Sequence, residues 1–146
     1  MHRHGMITKI PTATRMIGKR GGQQVWQPAE KTGCDYIGVY HGIAVAIEAK
    51  STAQKTRFPL TVHKKPMVKE HQLQFLEHFE RSGGQAFVLI NFRPNKETYR
   101  VPIGEYRMLK EKAEDAGKKS IPIFWFEDCP QVETTGYVLD YLAGIE

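Results

Sequence analysis

Apolar and polar positions alternate with a period of two along residues 35–40 and 43–50, on either side of His41-Gly42. That period sends successive side chains to opposite faces of a strand, and a two-residue loop containing glycine joins antiparallel neighbours, so the pattern predicts a hairpin. The period becomes helical over residues 68–82, where Val68, Phe75, Leu76 and Phe79 form an apolar stripe that stops at Gly83-Gly84. The run "QAFVLIN" that follows is apolar without alternation, as expected of a strand buried on both faces. A short strand is predicted near Tyr99-Arg100-Val101, and a helix over residues 105–116. "SIPIFWF" at residues 120–126 reads as a strand that Pro122 would confine to an edge, and residues 137–145 read as a terminal helix. Residues 1–33 read as irregular or extended, with a turn at Gly21-Gly22 and a short strand at Val25-Trp26. Together these describe an α/β chain of one domain, residues 1–146, with a mixed central β-sheet flanked by helices.

The hairpin carries the chemistry. With His41-Gly42 as its loop, Tyr40 faces Ile43, Val39 faces Ala44, Ile37 faces Ala46 and Asp35 faces Glu48. Ala44, Ala46, Glu48 and Lys50 then share one face, while Ile43, Val45, Ile47 and Ala49 form an apolar face suited to packing on a helix. Opposed Cβ atoms lie about 4.5–5.5 Å apart, and two carboxylates at that range destabilise a sheet unless something positive lies between them. A divalent cation would remove the conflict, and oxygen ligands favour Mg²⁺ or Mn²⁺ over zinc. Held by Asp35 and Glu48, such a cation would polarise a phosphodiester and acidify a bound water, which Lys50 would orient. The competing reading makes Glu48 and Lys50 a surface ion pair on an exposed strand. Gln72 falls on the helix stripe, four residues after Val68, either to reach a phosphate or the metal water, or as a buried amide bonded to backbone. His63, His71 and His78 read as surface or boundary residues.

Charge sharpens this picture. Residues 1–34 hold six basic residues against the single acid Glu30, and residues 51–69 hold Lys55, Arg57, Lys64, Lys65 and Lys69 without an acid. Two basic segments flanking paired carboxylates suit a polyanion substrate. Cys34 and Cys129 form no Cys-x-x-Cys pair and are expected to be buried and apolar in role. No run approaches the length of a membrane-spanning helix and the N-terminus lacks a secretory apolar core, so a cytoplasmic protein with no membrane partner is expected.

Asp35, Glu48-Ala49-Lys50 and Gln72 resemble the motif of the metal-dependent PD-(D/E)XK nuclease superfamily. The stretch "CDYIGVYHGIAVAIEAKSTAQKTRFPL" is similar to the bacterial RecU Holliday-junction resolvases, and weaker likeness extends over most of residues 32–145. The resemblance implies a restriction-endonuclease-like nuclease core and a junction-resolving endodeoxyribonuclease. It implies metal ligation by Asp35, Glu48 and the Ala49 carbonyl, a catalytic set of Asp35, Glu48, Lys50 and Gln72, and Mg²⁺ as cofactor with Mn²⁺ substituting. Contacts to branched DNA are expected from Arg15, Lys19, Arg20, Thr32, Lys55, Thr56, Arg57, Lys64, Lys65 and Lys69.

Family members usually carry a longer N-terminal region with a projecting stalk, whereas 34 residues precede Asp35 here. Residues 1–33 are therefore expected to form a basic arm or a reduced stalk, with "KIPTATRMIGKRGGQQVWQ" as its body. Two symmetric nicks need two active sites, so a homodimer is expected, with residues 121–126 and 137–145 as its apolar surface. The alternatives are another nuclease of the superfamily, acting in repair or on flaps, and a DNA-binding protein without catalysis.

Overall fold

The alternating stretches fold back on one another at His41-Gly42, whose φ values of 50° and 77° are those of a two-residue hairpin turn with both centres left-handed. The computed structural model describes residues 5–11, 14–28, 33–133, 141–143 and 145. In chain order its strands and helices are β1 (Gly5–Lys9), β2 (Thr14–Arg20), β3 (Gln23–Pro28), β4 (Tyr36–Tyr40), β5 (Ile43–Thr52), β6 (Arg57–Pro59), β7 (Thr61–Val62), β8 (Lys65–Pro66), α1 (Glu70–Arg81), β9 (Gln85–Phe92), β10 (Glu97–Pro102), α2 (Ile103–Asp115), β11 (Ser120–Pro122) and β12 (Gln131–Val132).

Six strands form the central sheet in the order β1-β4-β5-β9-β10-β12. Only the β5–β9 pair is parallel, because α1 lies in the crossover between them, so the sheet is mixed as expected. Hairpin pairing follows the predicted register from Tyr40↔Ile43 to Tyr36↔Ile47. It stops there, one residue short of Asp35, and β5 continues to Thr52.

Which face the helices cover differs from expectation. Leu73 and Leu76 of α1 and Tyr106, Leu109 and Ala113 of α2 pack with Ala46, Ala86, Val88 and Ile90, on the Glu48 side of the sheet. Val45 and Ile47, assigned above to a helix, instead pack with Phe87, Leu89, Leu142 and Ile145 of the C-terminal segment. The side-chain sizes explain the choice. Alanines at 44 and 46 let α1 approach the strand, whereas the bulky residues on the opposite face reach Leu142 and Ile145. Gly84 extends the same close approach, since a Cβ there would lie 2.3 Å from the Phe79 ring.

Other boundaries shift for local reasons. Helix α1 starts after Lys69, whose φ and ψ of −72° and 151° are extended, so Val68 enters the core before the helix begins. The inward stripe centres on Leu73 and Leu76, with Phe75 and Phe79 half-buried at its border. Of "SIPIFWF" only Ser120–Pro122 is a strand, and it pairs with β6 outside the central sheet. Ile123–Phe126 winds into a 3₁₀ turn after Pro122, leaving Phe124 exposed and Phe126 in the core. The predicted terminal helix lies largely outside the described residues, and residues 141–143 form a short 3₁₀ turn. Leu142 and Ile145 are buried within the chain, so they are not the free apolar surface a dimer contact would need.

The described residues of the N-terminal region are extended. Strand β1 lies at the sheet edge, antiparallel to β4, and β2 and β3 form a separate hairpin around Gly21-Gly22, which includes the predicted Val25-Trp26 strand. Cys34 and Cys129 are buried and free, and burial pushes both thiols up to about 11.

Candidate active site

Glu48 is the only acid among the fully buried side chains of the described residues, at 1% exposure. It sits mid-strand on the α1 face. Gln72 of α1 donates from Nε2 to its Oε1 at 2.8 Å, and Lys50 places Nζ 3.2 Å from the same oxygen. Oε2 is buried without a hydrogen-bond partner. Burial first, and the charge of Asp35 second, push the Glu48 carboxyl up to about 7, against the pull of Lys50. A buried carboxylate oxygen with no donor, beside a second carboxylate, is the electrostatic signature of a place for a cation.

Asp35 does not oppose Glu48 in the ladder. The chain bends as it enters β4, the Asp35 N–H donates to the Ile47 carbonyl at 3.1 Å, and the Asp35 side chain accepts at 2.9 Å from the Ala49 N–H through Oδ2. A strand residue sends its N–H and C=O to the same side, so the Ala49 carbonyl points to the edge where the Asp35 carboxylate lies. Asp35 and the Ala49 carbonyl thus lie at the same strand edge, next along β5 to Glu48. No cluster of three or more His, Cys, Asp or Glu suited to a metal occurs among the described residues, so an ion held here would need oxygens beyond the two carboxylates.

Gln72 makes the backbone bond weighed for it and, at its other end, a side-chain bond to Glu48. Its Oε1 accepts from the Lys69 N–H at 2.9 Å, closing the first turn of α1, while its Nε2 serves Glu48. Gln72→Glu keeps the acceptor that caps the helix but replaces the donor facing Glu48 with a third carboxylate oxygen. The thermal midpoint is expected to stay near that of the parent protein, while the single-turnover cleavage rate falls about 10- to 100-fold. Equal losses of stability and rate would reduce Gln72 to a helix cap.

The residues predicted to contact DNA lie on several elements. Lys55, Thr56, Arg57, Lys64, Lys65 and Lys69 are all exposed. Lys64 and Lys65 belong to the small β7–β8 hairpin, whose turn holds His63 and Lys64 at φ of 52° and 65°, a conformation non-glycine residues seldom adopt. Arg15, Lys19 and Arg20 lie on β2, and Thr32 lies outside the described residues, as does Glu30. His63 and His78 are exposed and His71 is half-buried.

The comparisons decide the family. The model of the family described as "Recombination protein U", RecU, matches residues 1–146. The chain belongs to the RecU family. Among the relatives of this RecU chain, the Holliday junction resolvase RecU of Geobacillus sp. (strain WCH70) is 34% identical over 99% of this chain and 74% of that protein. The Holliday junction resolvase RecU of Oceanobacillus iheyensis is 33% identical over 97% of this chain and 74% of that protein. A solved structure of Archaeoglobus fulgidus Hjc, a Holliday junction resolvase from an archaeal hyperthermophile, aligns with a TM-score of 0.43 and 16% identity, covering 80% of this chain and 79% of that one.

Three polar arrangements of the RecU chain carried no signal that periodicity could detect. Arg100 on β10 is buried, donates to the carbonyls of Tyr141 and Ala143 at 3.0 and 2.7 Å, and lies over the Phe87 ring, which fastens the C-terminal turn to the sheet. Arg107 of α2 bonds both oxygens of Glu70 and also Glu77, which ties α2 to the helix carrying Gln72. Arg93, after β9, donates to the Ser51 hydroxyl at 2.6 Å. Each pairs residues from separate elements, which no local period encodes.

Proposed function

We propose that this chain is a metal-dependent, structure-selective endodeoxyribonuclease that resolves four-way DNA junctions by paired phosphodiester hydrolysis. The observation that carries the reading is Glu48, a buried carboxylate with one oxygen unpaired, beside Asp35, Ala49, Lys50 and Gln72. RecU-family membership supports the junction as substrate. The oxygen donors suit Mg²⁺, with Mn²⁺ able to replace it, and such an ion when bound supplies charge neutralisation at the phosphate and a more acidic water. The chain's own side chains do the rest. Lys50 and Gln72 hold Glu48 in one orientation, Lys50 presents a positive charge to the attacking water and the developing phosphorane, and Asp35 keeps the strand edge open for phosphate.

The basic segments provide affinity. Lys55, Thr56, Arg57, Lys64, Lys65 and Lys69 line the approach from β6 to α1, and Arg15, Lys19 and Arg20 lie on the β2–β3 hairpin, which serves as a reduced stalk. Each chain holds one carboxylate set, so paired nicks require a two-fold homodimer. A cleavage assay with Mg²⁺ on a four-way junction, a flap and a linear duplex of shared sequence tests the reading, alongside sedimentation, which should give twice the chain mass. Paired nicks confined to the junction are expected. Equal cutting of flaps would move the chain to a repair nuclease of the same superfamily, and binding without cutting would make it a DNA-binding protein.

A further inference from the structure

Strand β9 runs parallel to β5 with Phe92 beside Thr52, so the residue after β9 emerges at the same end of the sheet as Lys50 and Ser51. That residue is Arg93. It is exposed, and no carboxylate among the described residues forms an ion pair with it, in contrast to Arg107, which holds Glu70 and Glu77. One N–H goes to Ser51 Oγ at 2.6 Å. An arginine at the same strand end as Lys50, with no carboxylate partner among the described residues and steadied by a neutral hydroxyl, retains its charge for something else.

The turn bearing it is rigid. Pro94 follows Arg93, Lys96 closes the 3₁₀ turn in the left-handed region at φ 55°, and its N–H donates to the Arg93 carbonyl at 3.2 Å. Asn95 donates from Nδ2 to the Lys55 carbonyl at 2.7 Å. The turn is therefore pinned to the segment leaving the catalytic strand at two points, Ser51 and Lys55. A guanidinium on such a mount loses little freedom on binding, and its planar fork matches two oxygens of a phosphate.

We propose that Arg93, oriented by Ser51, is a phosphate-binding residue of the nuclease site, gripping the DNA strand at a phosphate next to the one that is cut. The inference rests on the nuclease reading above and adds a contact from β9 that the hairpin motif does not contain. Ser51 acts through Arg93 and is a positioning residue.

Arg93→Gln keeps a donor within reach of Ser51 but removes the charge, Arg93→Lys keeps the charge but loses the fork, and Ser51→Ala frees the guanidinium while retaining it. Junction binding is measured across a salt series in Ca²⁺ and without metal, and cleavage kinetics in Mg²⁺. Arg93→Gln is expected to flatten the slope of log K against log salt by about 0.9, the value of one phosphate contact. Its KM should rise about tenfold, as for loss of one charge-assisted hydrogen bond, with kcat within about threefold. Arg93→Lys should preserve the slope with an intermediate KM, and Ser51→Ala should preserve the slope and raise KM a few-fold. A parental salt slope in Arg93→Gln overturns the proposal, as does a fall in kcat with KM unmoved. Failure of the parent protein to cut would defeat the nuclease reading instead, because the slope is read from binding.

Discussion

Glu48→Gln is expected to reduce junction cleavage on the order of 1,000-fold or more and, in the same protein, to raise the thermal midpoint in chelator above pH 7. The rate loss follows from removing one of two anionic ligands at the place where a cation would neutralise the phosphate, an effect of several kcal/mol on the barrier. The stability gain has a separate source. Glu48 is buried with an unpaired oxygen beside Asp35, so its ionised form is costly to the metal-free fold. Its carboxyl titrates at about 7 in the folded chain against 4.5 as the ordinary value, so between those limits the folded state holds a proton the unfolded state has released. Stability of the metal-free protein should thus be greatest below about pH 4.5 as far as this group is concerned, and fall as pH rises to about 7, by roughly 3 kcal/mol in all. Glu48→Gln should lack that descent, and DNA affinity should be unchanged or slightly higher with one negative charge gone. A variant that cuts at the parental rate, or a parent protein whose melting point in chelator climbs through this window, would mean the site has been misassigned.

Gly38→Ala should lower stability by about 3 kcal/mol, the upper end of what an overpacked methyl costs. Gly38 lies on β4, between Ile7 of β1 and Val45 of β5. A Cβ built there would sit 2.0 Å from the Met6 carbonyl oxygen and 2.8 Å from the Ile7 Cα, both backbone atoms of β1. Backbone has no rotamer with which to move aside, so β1 must withdraw. Because β1 leads into the β2–β3 hairpin, junction affinity should weaken with it. Hydrogen exchange offers the direct check: amides of Gly5–Lys9 should lose protection first, while those of Gln85–Phe92 keep theirs. Uniform protection in both strands would show that the sheet accepts the methyl.

The hairpin was legible because a two-residue turn at His41-Gly42 dictates every pairing after it, and the ladder from Tyr40↔Ile43 to Tyr36↔Ile47 is the one the alternation predicts. Strand β9 was equally plain, since an unbroken apolar run has few other uses. Alternation says which residues share a face but not what covers that face, so the helices were assigned to Val45 and Ile47 when they lie over Ala46. The bend at Asp35 escaped notice for a similar reason: a hydrogen bond from the Ala49 N–H to a side chain ends the ladder, and no spacing rule encodes it. Pro122 does confine its strand to a two-stranded pair outside the central sheet, and its further effect is to start a 3₁₀ turn that carries Phe126 into the core. Arg93 and Ser51 stand 42 positions apart, and only the parallel crossover brings them together.

The amide of Gln72 has one permitted sense. Its oxygen is claimed by the Lys69 N–H at the start of α1, so only its nitrogen can face Glu48. An amide free to rotate could offer oxygen to an ion, but this one is locked as a donor by the helix it stands on. A cation held at this centre would therefore take no ligand from Gln72 and would rely on Asp35, Glu48, the Ala49 carbonyl and solvent or substrate oxygens. In that case helix α1 would leave the remaining positions around the ion to be filled from outside the protein, by water or by the DNA backbone.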